Sequence, residues 1–244
     1  MIKSQSKRIV ALLPMKANST RIKGKNFRDF CGKPLFRWVL DTLLEVDEID
    51  QIVINTDARY LLAENGLGEN DRIFIRDRKP EICGDDVSMN MILADDVACV
   101  PADLYLMTHT TNPLISVETI RKAIAAFRDS NTSGQFDTLF TVNKVQTRFY
   151  RADGNPVNHN PANLIPTQEL EPWYEENSNL YIFTGQSFNI NRARIGAKPL
   201  MYTSPPMESI DIDTPDDWDK AIIAFKHMKS MANEDSSTTL EIRK

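Results

Sequence analysis

Short continuous apolar runs alternate along this chain with longer stretches in which apolar residues recur every three or four positions. RIVALLP (8–14) is an unbroken apolar run, the pattern of a parallel strand covered on both faces. PLFRWVLDTLLEV (34–46) opens on a proline, as first helical turns often do, and sets Leu35, Trp38, Val39, Thr42, Leu43 and Val46 at helical spacing. QIVINT (51–56), RIFIR (72–76), DLYLMT (103–108) and DTLFTV (137–142) read as further strands. Helices are expected between them: ARYLLAENG (58–66), stopped by Gly66; VSMNMILADDVACV (87–100); and SVETIRKAIAAFRDS (116–130), capped by Ser116. This order predicts an α/β fold, a mostly parallel sheet with helices on both faces, whose ligands bind at the carboxyl ends of the strands.

Residues 143–180 break the rhythm. They are rich in Asn, Pro and Glu, and a structureless loop of that length is rare inside a compact domain. The segment is expected to be an inserted arm of short strands and turns exposing Phe149, Tyr150, Trp173 and Tyr174, either a homodimer contact or an excursion folded on its own domain. The main fold resumes with LYIFT (180–184). ESIDIDT (208–214) reads as a strand, and a helix begins at Pro215 with Thr214 as its cap. One domain over 1–231 is expected, with 232–244 as a disordered tail.

Composition narrows the class. The 244 residues are 41% apolar and 26% charged, ordinary for a globular protein, and the net charge of −5 argues against a nucleic-acid partner. No run approaches the roughly 20 apolar residues of a membrane span, and the apolar segment of the N-terminus, which superficially resembles a signal peptide, stops at Pro14. Three cysteines (Cys31, Cys83, Cys99) without a CxxC point to a reducing cytoplasm, and His109, His159 and His227 have no zinc-ligand spacing.

Against that acidic balance, PMKANSTRIKGKN (14–26) stands out. Lys16, Arg21, Lys23 and Lys25 are interleaved with small and polar residues directly after the first strand, so the segment reads as a flexible cationic loop. Backbone N–H groups and cations of such a turn suit phosphates, although neither GxGxxG nor GxxxxGK[ST] is present and a solvated surface remains the alternative. The second constellation is SIDID (209–213). On a strand both isoleucines face one way and both aspartates the other, and two carboxylates roughly 6–7 Å apart repel unless water or a cation separates them. Oxygen ligands of this kind suit Mg²⁺ bound together with substrate phosphates, and the alternative is a strand edge in water. Cationic loop and carboxylate pair on one sheet together suggest metal-assisted phosphoryl or nucleotidyl transfer.

PMKANSTRIKGKN, followed by GKPL (32–35), resembles the signature of the CMP-sugar-acid synthetases, the acylneuraminate cytidylyltransferase family. INTD (54–57), RDRKPEICGDDVS (76–88), TTNPL (110–114) and SIDIDTPDDW (209–218) are similar to further family segments in the same order, over roughly residues 8–220. The resemblance implies a Rossmann-like nucleotidyltransferase fold, a homodimer made by the 143–180 arm, CTP and a keto-sugar acid as substrates, and Mg²⁺, with Mn²⁺ as a substitute. It places Lys16, Ser19, Arg21, Lys25 and Asn26 against phosphates or ribose, and the backbone at Pro14 and Met15 against cytosine. Arg78 and Ser88 complete that site, and Asp211 and Asp213 hold the metal. Lys25, Arg21 and Asp211 then carry the catalysis, and His109, Thr111, Gln168, Asn177 and Tyr181 surround the sugar acid.

Lys16 replaces a usual arginine, and Thr111 stands where 3-deoxy-octulosonate enzymes carry an aspartate. Glu175 stands where a sialate enzyme has arginine. QELEPWYEENSNLYIF (168–183) is closer to members acting on bacterial nonulosonic acids. The alternatives are an octulosonate-type enzyme and a non-catalytic nucleotide-binding protein of the same fold.

Overall fold

The computed structural model describes residues 7–132 and 134–241. The chain runs β1 (Ile9–Leu12), β2 (Asp29–Phe30), β3 (Lys33–Pro34), α1 (Leu35–Leu44), β4 (Gln51–Thr56), α2 (Arg59–Glu64), β5 (Ile73–Asp77) and α3 (Met89–Cys99). It continues through β6 (Leu104–Met107), α4 (Val117–Thr132), β7 (Thr138–Val145), β8 (Trp173–Phe183), α5 (Gly185–Asn191), β9 (Pro199–Thr203) and α6 (Pro215–Glu241). Seven strands form one sheet in the order β5-β4-β1-β6-β8-β7-β9, and β2 with β3 makes a separate small hairpin. β8 runs antiparallel to both its neighbours, and the other adjacent pairs are parallel.

The apolar run of β1 has no polar alternation because both its faces are covered. Ile9 and Ala11 pack with α1 and α4 residues such as Val39 and Phe127, while Val10 and Leu12 pack with Leu93 of α3 and Phe188 of α5. Helices therefore lie on both faces of a mostly parallel sheet, as the element order predicts. A third cluster joins α1 to α6 through Leu35, Trp218, Ala221 and Ile212, with the Phe30 and Trp218 rings edge-to-face at 5.5 Å. Strand order reverses at β1, whose neighbours are β4 and β6. A crevice opens there beyond the carboxyl ends of the strands, and the 14–26 loop enters it.

Four expectations are corrected. Residues 209–213 are not a strand: Ile212 N–H bonds the Thr111 carbonyl at 2.8 Å, and the segment joins no sheet. The alternation survives, with Ile210 and Ile212 both packed in the third cluster. Helix α6 continues to Glu241, because no glycine or proline stops it at 231; only 242–244 of the expected tail lie outside the described residues. Two elements, α5 and β9, have no counterpart in the hydrophobic pattern, being short and half-exposed. Finally, Pro34 is the cap of α1 and lies in β3, one residue before the first helical turn.

The 143–180 segment is a ribbon growing out of the sheet. β7 and β8 stay paired through Val145↔Trp173, and the residues between them form turns with bridges at Tyr150↔Pro156 and Asn160↔Asn163. Phe149 stacks on Trp173 at 5.0 Å, and Tyr150, Leu164, Trp173 and Tyr174 are exposed.

Candidate active site

The 14–26 loop is pinned on three sides, which corrects the expectation of a flexible segment. Beyond β1 the chain keeps following β4, with Leu13 N–H on the Val53 carbonyl at 2.9 Å and Met15 N–H on that of Asn55 at 3.1 Å. Ala17 N–H then bonds Asp57 Oδ1 at 2.7 Å. Asn26 is buried and staples the loop to itself and to the end of β6: its Nδ2 donates to the Lys16 carbonyl at 2.9 Å, and its Oδ1 accepts from Thr110 Oγ1 at 2.7 Å. Gly24 adopts a left-handed conformation (φ 63°) that opens the tight turn 25–27, so the following Lys25 turns inward. The buried Lys25 ammonium donates to the Ile212 carbonyl and lies 3.2 Å from Asp213 Oδ1.

A cleft of about 300 Å³ results, lined by Pro14, Met15, Lys16, Ser19, Arg21, Lys25, Asn26, Arg78, His109, Thr111 and Asp213 among others. The loop residues predicted for the nucleotide are thus gathered in one place with Asp213. Arg78 lies under the loop, donating through Nε to Asn55 Oδ1 at 2.9 Å and through an η-nitrogen to the Met15 carbonyl at 3.0 Å. Both backbone groups of Met15 are therefore engaged, which places Arg78 as a brace of the loop. Asn55 in turn holds Asp96 at 2.8 Å, and Arg76 reaches the same carboxylate. Burial pushes Asp96 up to about 6 against the opposing hydrogen bond from Asn55. Lys16 meets Asp85 of the 84–88 loop across the cleft mouth.

Charge is unevenly partnered around the carboxylates. Asp213 Oδ2 takes Arg21 at 3.0 Å, while its other oxygen faces Lys25. Asp211 is more buried, and burial raises its proton affinity, opposed by the Thr111 hydroxyl and reinforced by Asp213. One of its oxygens, Oδ1, is buried without a hydrogen-bond partner. An orphaned carboxylate oxygen two residues from a second carboxylate fits a cation with oxygen ligands. The described residues contain no cluster of three His, Cys, Asp or Glu side chains, so any such cation would take its other ligands from phosphates and water.

Five predicted site residues do not line the cleft: Asp211 and Tyr181 stand behind it against Thr111 and His109, and the other three are engaged elsewhere. Ser88 caps α3, its hydroxyl accepting Asn90 N–H at 3.3 Å. Gln168 is exposed on the arm, where its carbonyl accepts from Gln146 at 2.9 Å. Asn177 is buried in a bulge of β8, donating to Asn143 Oδ1 at 3.0 Å and to Ser204 Oγ at 2.8 Å. That bulge, where Thr141 alone faces Asn177–Leu180 and Ser178 takes φ 57°, brings Glu176 under Tyr181, whose hydroxyl donates to it.

Sequence reading missed one side chain here, Arg194. It lies in the loop after α5 and reaches His109 Nε2 at 3.3 Å and the Tyr181 oxygen at 2.9 Å. Since a guanidinium only donates, His109 accepts through Nε2 and carries its proton on Nδ1; burial and the adjacent Arg194 lower its pKa to about 3, so it is neutral. No motif surrounds Arg194, and only the cation itself, in an otherwise unassigned segment, signals it in the sequence. Glu175, by contrast, points to Asn143 at 3.1 Å on the exposed arm.

Comparison with known proteins finds relatives that align along most of the chain. CMP-N,N'-diacetyllegionaminic acid synthase of Legionella pneumophila is 28% identical over 86% of this chain and 93% of its own length. Pseudaminic acid cytidylyltransferase of Campylobacter jejuni is 22% identical over 89% of this chain and 96% of its own. A structure of CMP:2-keto-3-deoxy-manno-octonic acid synthetase complexed with CTP superimposes with a TM-score of 0.63 at 15% identity, over 91% of this chain and 99% of that one, which shows the Rossmann-like nucleotidyltransferase fold. No helix among the described residues is long and apolar enough to cross a membrane. The model of the cytidylyltransferase family matches residues 10–233, and the chain belongs to that family of nucleotidyltransferases.

Proposed function

We propose that this cytidylyltransferase transfers CMP from CTP to the anomeric hydroxyl of a nonulosonic keto-sugar acid, releasing pyrophosphate. The carrying observation is the convergence of Arg21, Lys25 and Asp213 in one cleft that the neutral His109 also lines. The hydroxyl oxygen attacks the α-phosphorus, the bond to the bridging oxygen breaks, and the hydroxyl proton is released. Little covalent chemistry falls to the protein, so positioning and charge stabilisation carry the rate. Arg21 and Lys25 face the triphosphate, and the braced 14–17 backbone, with Asn26 and Thr110 behind it, sets where the base and ribose sit. Asp211 and Asp213 would hold Mg²⁺, or Mn²⁺ in its place, which when bound neutralises phosphate charge.

The extent of similarity supports a nonulosonic acid as the second substrate. The legionaminic acid synthase aligns along 86% of the chain, whereas 3-deoxy-manno-octulosonate cytidylyltransferases align with 49% and 50% of it. We further read the exposed aromatic ribbon as a homodimer contact. The three free cysteines suit a cytoplasmic setting, where CTP is available. The test is pyrophosphate release from CTP with N,N'-diacetyllegionaminic acid, pseudaminic acid, N-acetylneuraminate and 3-deoxy-manno-octulosonate. Turnover of one of the first three, with UTP and ATP poor substitutes for CTP, is expected. Equal use of the three nucleotides, or turnover of the octulosonate alone, would overturn the reading.

A further inference from the structure

We propose that Arg194 is the anchor for the carboxylate of the acid substrate, and that Glu176 occupies this guanidinium until the substrate displaces it. The inference deepens the proposed function and rests on it.

Backbone geometry delivers the side chain. Helix α5 ends at Arg192, which adopts a left-handed conformation (φ 54°) and donates its N–H to the Phe188 carbonyl at 2.7 Å. The chain turns back toward α3, where Arg194 N–H bonds Asn90 Oδ1 at 3.2 Å. The guanidinium then lies over the Tyr181 ring, 3.8 Å from its centroid, and meets His109 in the cleft wall. It thus sits one hydrogen bond behind the wall that also carries Thr111 and Asp213.

The quality of its partners singles it out. A largely buried guanidinium ordinarily faces a carboxylate through two parallel hydrogen bonds. Arg194 instead meets a thioether, an imidazole nitrogen and a phenol oxygen, and among the described residues its one anion is a single contact to Glu176 Oε1 at 3.4 Å. The Arg194 side chain is 19% exposed and that of Glu176 41%, so the anion is the member of the pair that solvent reaches. Tyr181 couples the two, accepting from Arg194 while donating to Glu176. Burial raises the affinity of the Tyr181 oxygen for its proton, which keeps the hydroxyl a donor. When Glu176 swings out, an incoming carboxylate meets two kinds of donor side by side, guanidinium N–H and phenol O–H.

Chemistry of the reaction places a carboxylate here. In a keto-sugar acid the carboxyl carbon and the attacking hydroxyl share the anomeric carbon, so the carboxylate must have its own cation beside the reacting centre. Lys16, Arg21 and Lys25 are directed at Asp85 or Asp213, on the triphosphate side of the cleft. Arg194 has no such carboxylate in the cleft lining and stands behind His109.

Steady-state pyrophosphate release with CTP and each of the four acids, and with the carboxamide of the acid turned over fastest, tests the assignment. Arg194→Gln is expected to raise the KM for the acid about 30- to 100-fold, the scale of one lost charged hydrogen-bond set, with CTP dissociation constant and Tm little changed. The preference for acid over carboxamide should collapse in Arg194→Gln and partly return in Arg194→Lys. Glu176→Gln, which removes the competing anion, should lower the KM for the acid several-fold. An acid KM in Arg194→Gln within threefold of wild type, or a loss equal for acid and carboxamide, overturns the assignment. So does an unlowered acid KM in Glu176→Gln, which decides the matter should Arg194→Gln not fold. If the wild type releases pyrophosphate with none of the acids, the proposed function itself falls and takes this inference with it.

Discussion

Replacing Lys25 with Met removes one buried ammonium and leaves its aliphatic stem. The ammonium donates to the carbonyl of Ile212, a fully buried residue, and stands beside Asp213 Oδ1. Losing a charged hydrogen bond to a buried acceptor costs about 2 kcal/mol, and for a domain of this size each kcal/mol lowers Tm by roughly 2–4 °C. A drop of about 4–8 °C is therefore expected by thermal unfolding without ligand. Catalysis should suffer more, because the same charge faces the phosphates as pyrophosphate leaves. Removing one preorganised donor from a developing anion costs about 2.7–4 kcal/mol, so turnover should fall roughly 100- to 1000-fold. Pyrophosphate release at saturating CTP reads this directly. Lys23→Ala is the control, since Lys23 is exposed and lines no part of the cleft, and it should stay within a few-fold of wild type. Turnover of Lys25→Met within tenfold of wild type at an unchanged Tm would refute the reasoning.

Asp211→Asn should abolish turnover while leaving the ligand-free Tm unchanged or raised, since it removes a buried charge; EDTA should mimic the loss and Mg²⁺ or Mn²⁺ reverse it, and substantial activity in the variant would count against the metal reading. Asp96 gives a pH signature. Its folded value, about 6, exceeds the ordinary 3.8, so the folded chain holds a proton that the unfolded chain releases between them. Stability contributed by this group is complete below pH 3.8 and is lost as pH rises through about 6, at up to roughly 1.4 kcal/mol per unit. Denaturant titrations between pH 4 and 7 should show a shallower fall in Asp96→Asn than in wild type, and parallel curves would contradict the assignment. Trp173, 39% exposed and stacked on Phe149, should when changed to Glu shift the mass measured by light scattering from about twice the 27.8 kDa chain toward one, whereas a wild-type monomer would return the ribbon to an excursion of its own domain.

What the sequence alone determined was whatever rests on local periodicity. β1 was legible because both its faces are apolar, and α4 because its apolar stripe and Ser116 cap follow from neighbours in the chain; Ser116 Oγ does accept Thr119 N–H at 3.1 Å. The resemblance added the loop and the aspartate pair, since their residues are contiguous. Tertiary structure decided everything that joins distant segments. Contiguous spacing suggested a flexible cationic loop, yet Asn26 and Lys25 spend their polar atoms on Thr110, Ile212 and Asp213, up to 188 residues away. SIDID has the alternation of a strand but pairs with none, and its backbone bonds Thr111 instead. Ser88 and Asn177 have side chains suited to a ligand, but capping α3 and holding the β8 bulge use them first. Arg194 carries no local signal beyond its charge. Its place beside His109 depends on a left-handed turn at Arg192 and on Met107 and Tyr181 sharing a register across β6 and β8, and a long-range juxtaposition of that kind leaves no periodic trace in the chain.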